Sequence, residues 1–329
     1  MRKGLIELIP RLSSGAARGP FPALCLILSF IMISALAGFS GGGVIIYSDD
    51  IFPAHPPEND AAVPVGGDAG AGNAVREAES ISARFGIEIA FGDRVPRSLG
   101  AYPLEPATDE ALVLKALAAV RDTLSFFPEG MFRKLAELGP GGIELVLCGG
   151  IEWSYPVSGL TGFSDGKRMI ALSVNAEYGR LRATLAHELC HAADMTLDRL
   201  AAEDPSHWSG DGWLALCPPG FSYYSAYSDA DGKPYAEYGD PSFTVEDAKN
   251  GIWFINRSSK ISPYEDRAET VEALFLLGSE SPIIKSPHIA AKLTYYLEAL
   301  RYYLGVDIKK GWLEAIPCSF ICRPDHTMP

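Results

Sequence analysis

Ala186-His187-Glu188-Leu189-Cys190-His191-Ala192-Ala193-Asp194 sets two imidazoles four residues apart, with a carboxylate beside the first. On an α-helix that spacing stacks them one turn apart on one face. Both rings can then reach one metal ion while Glu188 holds a water next to it. The chain has only six histidines in 329 residues, so chance would produce this pattern in on the order of one such chain in a hundred. The surrounding residues agree with a helix. Arg180 to Leu197 contains no Gly or Pro and is rich in Ala and Leu, both strong helix formers. Leu181, Leu185, Leu189 and Ala192 or Ala193 form an apolar stripe at helical spacing. His187, His191 and Asp194 fall on a neighbouring stripe, so the helix can pack on a core and line a cleft at once.

Outward from the helix, Met169 to Val174 reads as a strand, with Gly162 and Asp165-Gly166 as turn signals before it. Ile87 to Phe91 and Gly142 to Cys148 read as further strands. Ala107 to Leu138 reads as one or two helices broken near Phe127-Pro128, and Ile289 to Leu304 as a helix packing through Leu293, Tyr296, Leu297, Leu300 and Tyr303.

A catalytic zinc takes three protein ligands and keeps one position open. A third histidine six residues beyond His191 is ruled out, because Leu197 stands there. The other common solution is a Glu on a second helix, and Ser262-Pro263-Tyr264-Glu265-Asp266-Arg267-Ala268-Glu269 is the strong candidate. Ser262 suits an N-cap and Pro263 the first helical position. Glu265 is then the expected ligand. Glu269, one turn on, is expected to accept from a ligand imidazole and fix its tautomer. Asp194 is expected to support the ligands in the same way. Ser262-x-x-Glu265 is also a capping box, in which Glu265 would only satisfy a backbone donor. In that case Glu269 or Asp266 becomes the ligand. Glu272 reads as a solvated charge off this stripe.

The two motifs together resemble the gluzincin zinc metallopeptidases. Ala186 to Asp194 followed by Glu265-Asp266-Arg267-Ala268-Glu269 is similar to the catalytic domain of anthrax lethal factor and to bacterial zinc-binding peptidases of that type. Trp213-Leu214-Ala215-Leu216-Cys217-Pro218-Pro219-Gly220-Phe221 adds a similar Trp/Pro/Phe segment between them. The likeness covers about Phe127 to Leu277, and the stretch from about Ser222 to Ile261 departs from it. The resemblance implies an α+β, zincin-like fold. Its parts are a small mixed sheet with an edge strand over the cleft, an active-site helix and a mostly helical C-terminal part.

The expected chemistry is peptide hydrolysis. Zn2+ held by His187, His191 and Glu265 would activate a water and polarise a carbonyl, with Glu188 as general base and then acid. The developing oxyanion needs a further donor, and a Tyr hydroxyl commonly serves. Tyr264 is one candidate; Tyr223, Tyr224, Tyr227, Tyr235, Tyr238 and His207 are rivals. The strand near Ile170 could take an extended peptide along a sheet edge. Two other readings share the motif: a non-catalytic binding protein on this fold, and a zinc amide hydrolase acting on a non-peptide substrate such as the cell wall.

Residues 1–39 set the expected compartment. Arg2, Lys3, Arg11 and Arg18 against Glu7 precede an uncharged apolar run from Phe21 to Phe39. Basic first and apolar second marks a signal peptide or an uncleaved anchor, and so an extracytoplasmic protein, secreted or tethered by residues 21–39. Ala35-Leu36-Ala37 offers a cleavage site, while the run's length of about 19 residues is near that of a spanning helix. Residues 40–74, rich in Pro, Gly, Ala and Asp, read as a flexible linker, and 75–329 as one folded domain. Any membrane association is thus expected through the N-terminal segment alone.

The whole chain carries −13 and residues 1–38 carry +3, which leaves −16 for the rest. With no basic stripe to neutralise phosphates, nucleic acid is excluded as a partner, and a peptide or protein substrate is expected. Beyond the leader lie Cys148, Cys190, Cys217, Cys318 and Cys322, an odd number whose pairing spacing does not fix. Cys190 points about 100° from His191 on the helical wheel and reads as a packing residue.

Overall fold

The structure is a computed structural model that describes residues 45–46, 72–139, 142–152, 158–164, 167–224 and 241–306. The apolar run 21–39, Cys318, Cys322 and Tyr227, Tyr235 and Tyr238 lie outside the described residues. Contacts divide the chain into Met1–Ser40 and Gly41–Pro329, and everything below belongs to the second unit. Among the described residues, no helix is long and apolar enough to cross a membrane.

The elements run β1 (Ile45–Ile46), α1 (Gly72–Phe85), β2 (Glu88–Phe91), β3 (Ser98–Leu99), β4 (Tyr102–Pro106), α2 (Glu110–Phe126), α3 (Met131–Leu138), β5 (Ile143–Ile151), β6 (Gly159–Ser164), β7 (Lys167–Ser173), α4 (Tyr178–Ala201), α5 (Gly210–Leu214), α6 (Pro263–Leu277) and α7 (Pro287–Leu304). The result is an α+β protein with a curled mixed sheet. The stretch expected to be a linker contributes at both ends: Ile45–Ile46 pairs with the sheet and α1 opens at Gly72.

β5 is the axis of the sheet. It pairs in parallel with β7 along one edge. Its other edge is shared in tandem, first by β2 in parallel at Glu144 to Leu147 and then by β4 antiparallel from Cys148 to Ile151. Two strands end to end on one edge, with β3 folded back on β4, make the sheet curl. Strands buried on both faces read as continuous apolar runs, and β5 does. Ile143, Leu145 and Leu147 join the core under the helices. Val146 and Cys148 turn to a second cluster with Ala90, Val95, Leu99, Leu104 and Leu160. Successive residues of one strand thus hold the two layers together.

The strand around Ile170 is not an edge. β7 lies between β5 and β6, and Leu160 to Gly162 face Ala171 to Met169 across an antiparallel hairpin. The edge is β6, on which β1 covers only Thr161 and Leu160. Gly162, expected to mark a turn, lies within this strand, and Gly159 at its start serves close packing. A Cβ on Gly159 would come within 2.4 Å of the Thr184 methyl on α4. β6 is therefore pressed directly onto the helix that carries the histidines.

Helix boundaries follow local chemistry. Asp109 caps α2, accepting from Ala111 N and Leu112 N. The expected break near Pro128 separates α2 from α3. Ser262 Oγ accepts from Glu265 N with Pro263 at the first position of α6. The apolar stripe expected on α4 is buried throughout, as are Leu293, Tyr296, Leu297 and Leu300 of α7.

Candidate metal centre

α4 and α6 face each other and bring the two motifs together. His187 Nε2 lies 3.4 Å from one oxygen of Glu265 and His191 Nε2 3.6 Å from the other. The two Nε2 atoms are 3.1 Å apart. Donors sharing one tetrahedral ion at about 2.0–2.1 Å stand about 3.3 Å from one another. These four atoms, two nitrogens and both Glu265 oxygens, therefore stand at separations close to those around one zinc ion. The capping-box alternative also resolves: Ser262 caps the helix, while the Glu265 carboxylate turns to the imidazoles.

Depth makes the centre electrostatically tight. His187, Glu188 and His191 are fully buried, and the Glu265 side chain is 13% exposed. Burial opposes charge on His187, but Glu265 and Glu272 outweigh it and hold its pKa well above the ordinary range. His191 is depressed to about 3, chiefly by burial, despite the pull of Glu265. Burial would raise Glu265, yet its bond to His187 and both imidazoles hold it below the usual carboxylate range. Burial lifts Glu188 to about 7 against the pull of His187. Neither oxygen of Glu188 has a hydrogen-bond partner among the described residues, and Thr161 of β6 is its polar neighbour. Unpaired buried carboxylate oxygens are costly, and a metal with its water is the kind of group that would satisfy them. The donor set and these orphaned atoms fit a zinc ion.

The residue that fixes His187 is Glu272, not Glu269. His187 Nδ1 lies 3.1 Å from Glu272 Oε2, and Glu272 is fully buried. It is not the solvated charge expected, and helical geometry gives the reason. Seven residues make about 700°, which returns to within about 20° of Glu265, whereas Glu269 is about 40° away. Glu269 brings a carboxylate oxygen within 4.8 Å of His187 and Glu272, accepts from Asn256 Nδ2 at 2.7 Å, and is raised to about 8 by burial and by Glu272.

Asp194 also departs from expectation. It accepts from Arg267 Nε at 2.6 Å, while its second oxygen and His191 Nδ1 make no hydrogen bond among the described residues. Its role is to tie α4 to α6. Burial lifts its pKa to about 7 against the pull of Arg267. Arg267 itself is held above its ordinary value, because Asp194 and Asp198 outweigh its burial.

Tyr264 is not turned to the imidazoles. Its hydroxyl donates to Asp198 at 2.7 Å, two turns beyond His191 on α4. Tyr223 donates to Asp266 at 2.6 Å. The His207 ring stacks on Tyr302 at 3.8 Å. Cys190 packs against the Tyr296 hydroxyl as a packing residue should, and Cys148, Cys190 and Cys217 are buried free thiols. Sequence reasoning missed Glu272, Asn256, Arg267 and Thr161. Only Glu272 left a legible signal, its place on the Glu265 stripe.

No protein-family model, no curated protein and no solved structure matches the chain.

Proposed function

We propose that the chain is a zinc-dependent peptidase whose centre is His187, His191 and Glu265. The observation that carries the reading is two imidazole nitrogens 3.1 Å apart with the Glu265 carboxylate against both, one oxygen 3.4 Å from His187 and the other 3.6 Å from His191. A zinc ion bound there would supply Lewis acidity, polarising a scissile carbonyl and making a water more acidic. The protein's own residues do the rest. Glu188 takes the proton of the attacking water and delivers it to the leaving nitrogen. Burial lifts its pKa to about 7 in the metal-free protein and a bound cation would draw it below that, so it stands near neutrality as a carboxylate able to accept the proton. Glu272 accepts from His187 Nδ1–H, which leaves Nε2 free to ligate.

The proposal extends to a zincin-like arrangement, with β6 as the strand over the cleft. Thr161 next to Glu188 and Gly159 against Thr184 support it. An extended peptide would add to the part of β6 beyond Thr161 that β1 leaves unpaired, or take the place of β1 beside Glu188, drawing affinity from main-chain hydrogen bonds. An extracytoplasmic site of action, with membrane attachment only through residues 21–39, rests on the basic and apolar leader.

The test compares parent and Glu188→Gln on a peptide library, with metal content measured for both. The expected result is one zinc per chain in each and hydrolysis only by the parent. Equal turnover by the two proteins would defeat the mechanism, and absence of zinc from both would remove the centre itself.

A further inference from the structure

α6 is buried from Asp266 through Leu274 with acids and a base on several of its sides, so no simple apolar stripe decides its rotation about its own axis. Its rotation nonetheless has to be tightly set. A turn of about 20° moves a carboxylate lying about 6 Å from the axis by about 2 Å, ten times the tolerance of about 0.2 Å on a metal–ligand distance. Three consecutive residues, each about 100° from the next, meet three different partners. Glu265 faces the imidazoles, Asp266 faces Lys292 of α7, and Arg267 faces Asp194 of α4.

The Asp266 contact is the most elaborate. Lys292 and Asp266 are both fully buried, and Lys292 Nζ donates to the two carboxylate oxygens at 2.9 and 2.7 Å and to Trp253 O at 2.6 Å. Asp266 Oδ2 also accepts from Trp213 Nε1 at 3.0 Å and from Tyr223 at 2.6 Å. Donors from α5, α7 and the 221–224 segment therefore converge on the residue next to Glu265. A buried ion pair adds little stability over apolar residues of the same volume, and its best-attested use is to fix register.

We propose that Asp266 and Lys292 are positioning residues that lock the rotation of α6 and so hold Glu265 at ligand distance from His187 and His191. The inference rests on the zinc-centre reading above.

The full-length double variant Asp266→Asn/Lys292→Met keeps the volume and removes both charges. Three quantities are read: the melting temperature without metal, zinc affinity by chelator competition, and the visible absorption of the cobalt-substituted protein. The expected result is a melting temperature within a few degrees of the parent, zinc binding at least tenfold weaker, and a changed cobalt spectrum. A merely structural pair would move the melting temperature and leave the other two unchanged. Parent-like zinc affinity in a folded double variant overturns the proposal. A double variant that does not fold overturns it too, since the pair is then a requirement of folding. If the parent itself binds no zinc, the failure belongs to the centre and not to the pair.

Discussion

Replacing Glu272 with Gln separates what this carboxylate does for metal from what it does for the fold. Its oxygen sits 3.1 Å from His187 Nδ1 with a side chain 1% exposed. An amide oxygen of the same shape still accepts the hydrogen bond, so the loss is that between a charged and a neutral acceptor. Bonds to charged groups contribute about 1.5–3 kcal/mol and neutral ones about 0.5–1.5. The difference of about 1.4 kcal/mol is tenfold in zinc affinity, the lower end for residues that orient a metal ligand. Glu272→Leu, which removes the acceptor, moves the loss toward a hundredfold. Stability of the metal-free protein is expected to change much less. Removing the Glu272 charge relieves repulsion on Glu269, which it helps push up to about 8, but also takes a partner from the charged His187, and the two effects offset. The metal-free melting temperature should then stay within a few degrees of the parent, at about 2–4 °C per kcal/mol for a domain of this size. Titration against a chromophoric chelator at fixed pH gives the affinity, and a thermal melt in EDTA gives the stability. Parent-like zinc affinity in Glu272→Gln, or a large fall in the EDTA melt, would refute this account of His187.

Zinc at about a hundred times its dissociation constant should stabilise the parent by about 2.7 kcal/mol, raising its melting temperature by about 5–10 °C, and EDTA should reverse the gain. The acid side of the kcat/KM profile should follow Glu188: the base works as a carboxylate, so activity falls as pH drops through its pKa. The metal-free value of about 7 is an upper limit, because a bound cation draws it lower; an acid limb above 7 would contradict the assignment. Arg267→Met leaves Asp194 buried without its cation, a change that costs about 3–5 kcal/mol. Asp194 already has a raised folded-state pKa, and losing Arg267 raises it further, so the folded state binds the extra proton and gains stability as pH falls. Chemical denaturation should show a larger deficit for this variant at pH 8 than at pH 5, and equal deficits would speak against the pair.

What could be read from residues alone was whatever one helix carries by itself. The His187/His191 stripe, the Ser262 cap and the break at Pro128 are local, and the structure has each of them. Glu272 is equally local, since seven residues from Glu265 return it to the same face of the helix. The remaining gaps depend on partners distant in sequence. That Asp194 serves Arg267, 73 residues on, is decided by how α4 meets α6. That Tyr264 finds Asp198 within reach is likewise set by how α4 and α6 meet. Gly162 signals a turn locally but lies in β6, whose place is set by the close approach of α4 at Gly159.

The depth of the imidazoles has a kinetic side. No donor nitrogen of His187 or His191 touches solvent, and Glu265 is the sole ligand with an exposed fraction. An incoming ion must wait for the two helices to part, and a departing one must do the same. Exchange with free zinc should therefore track the rate of that local opening, slow beside the diffusion of any chelator and accelerated by denaturant well below the unfolding midpoint.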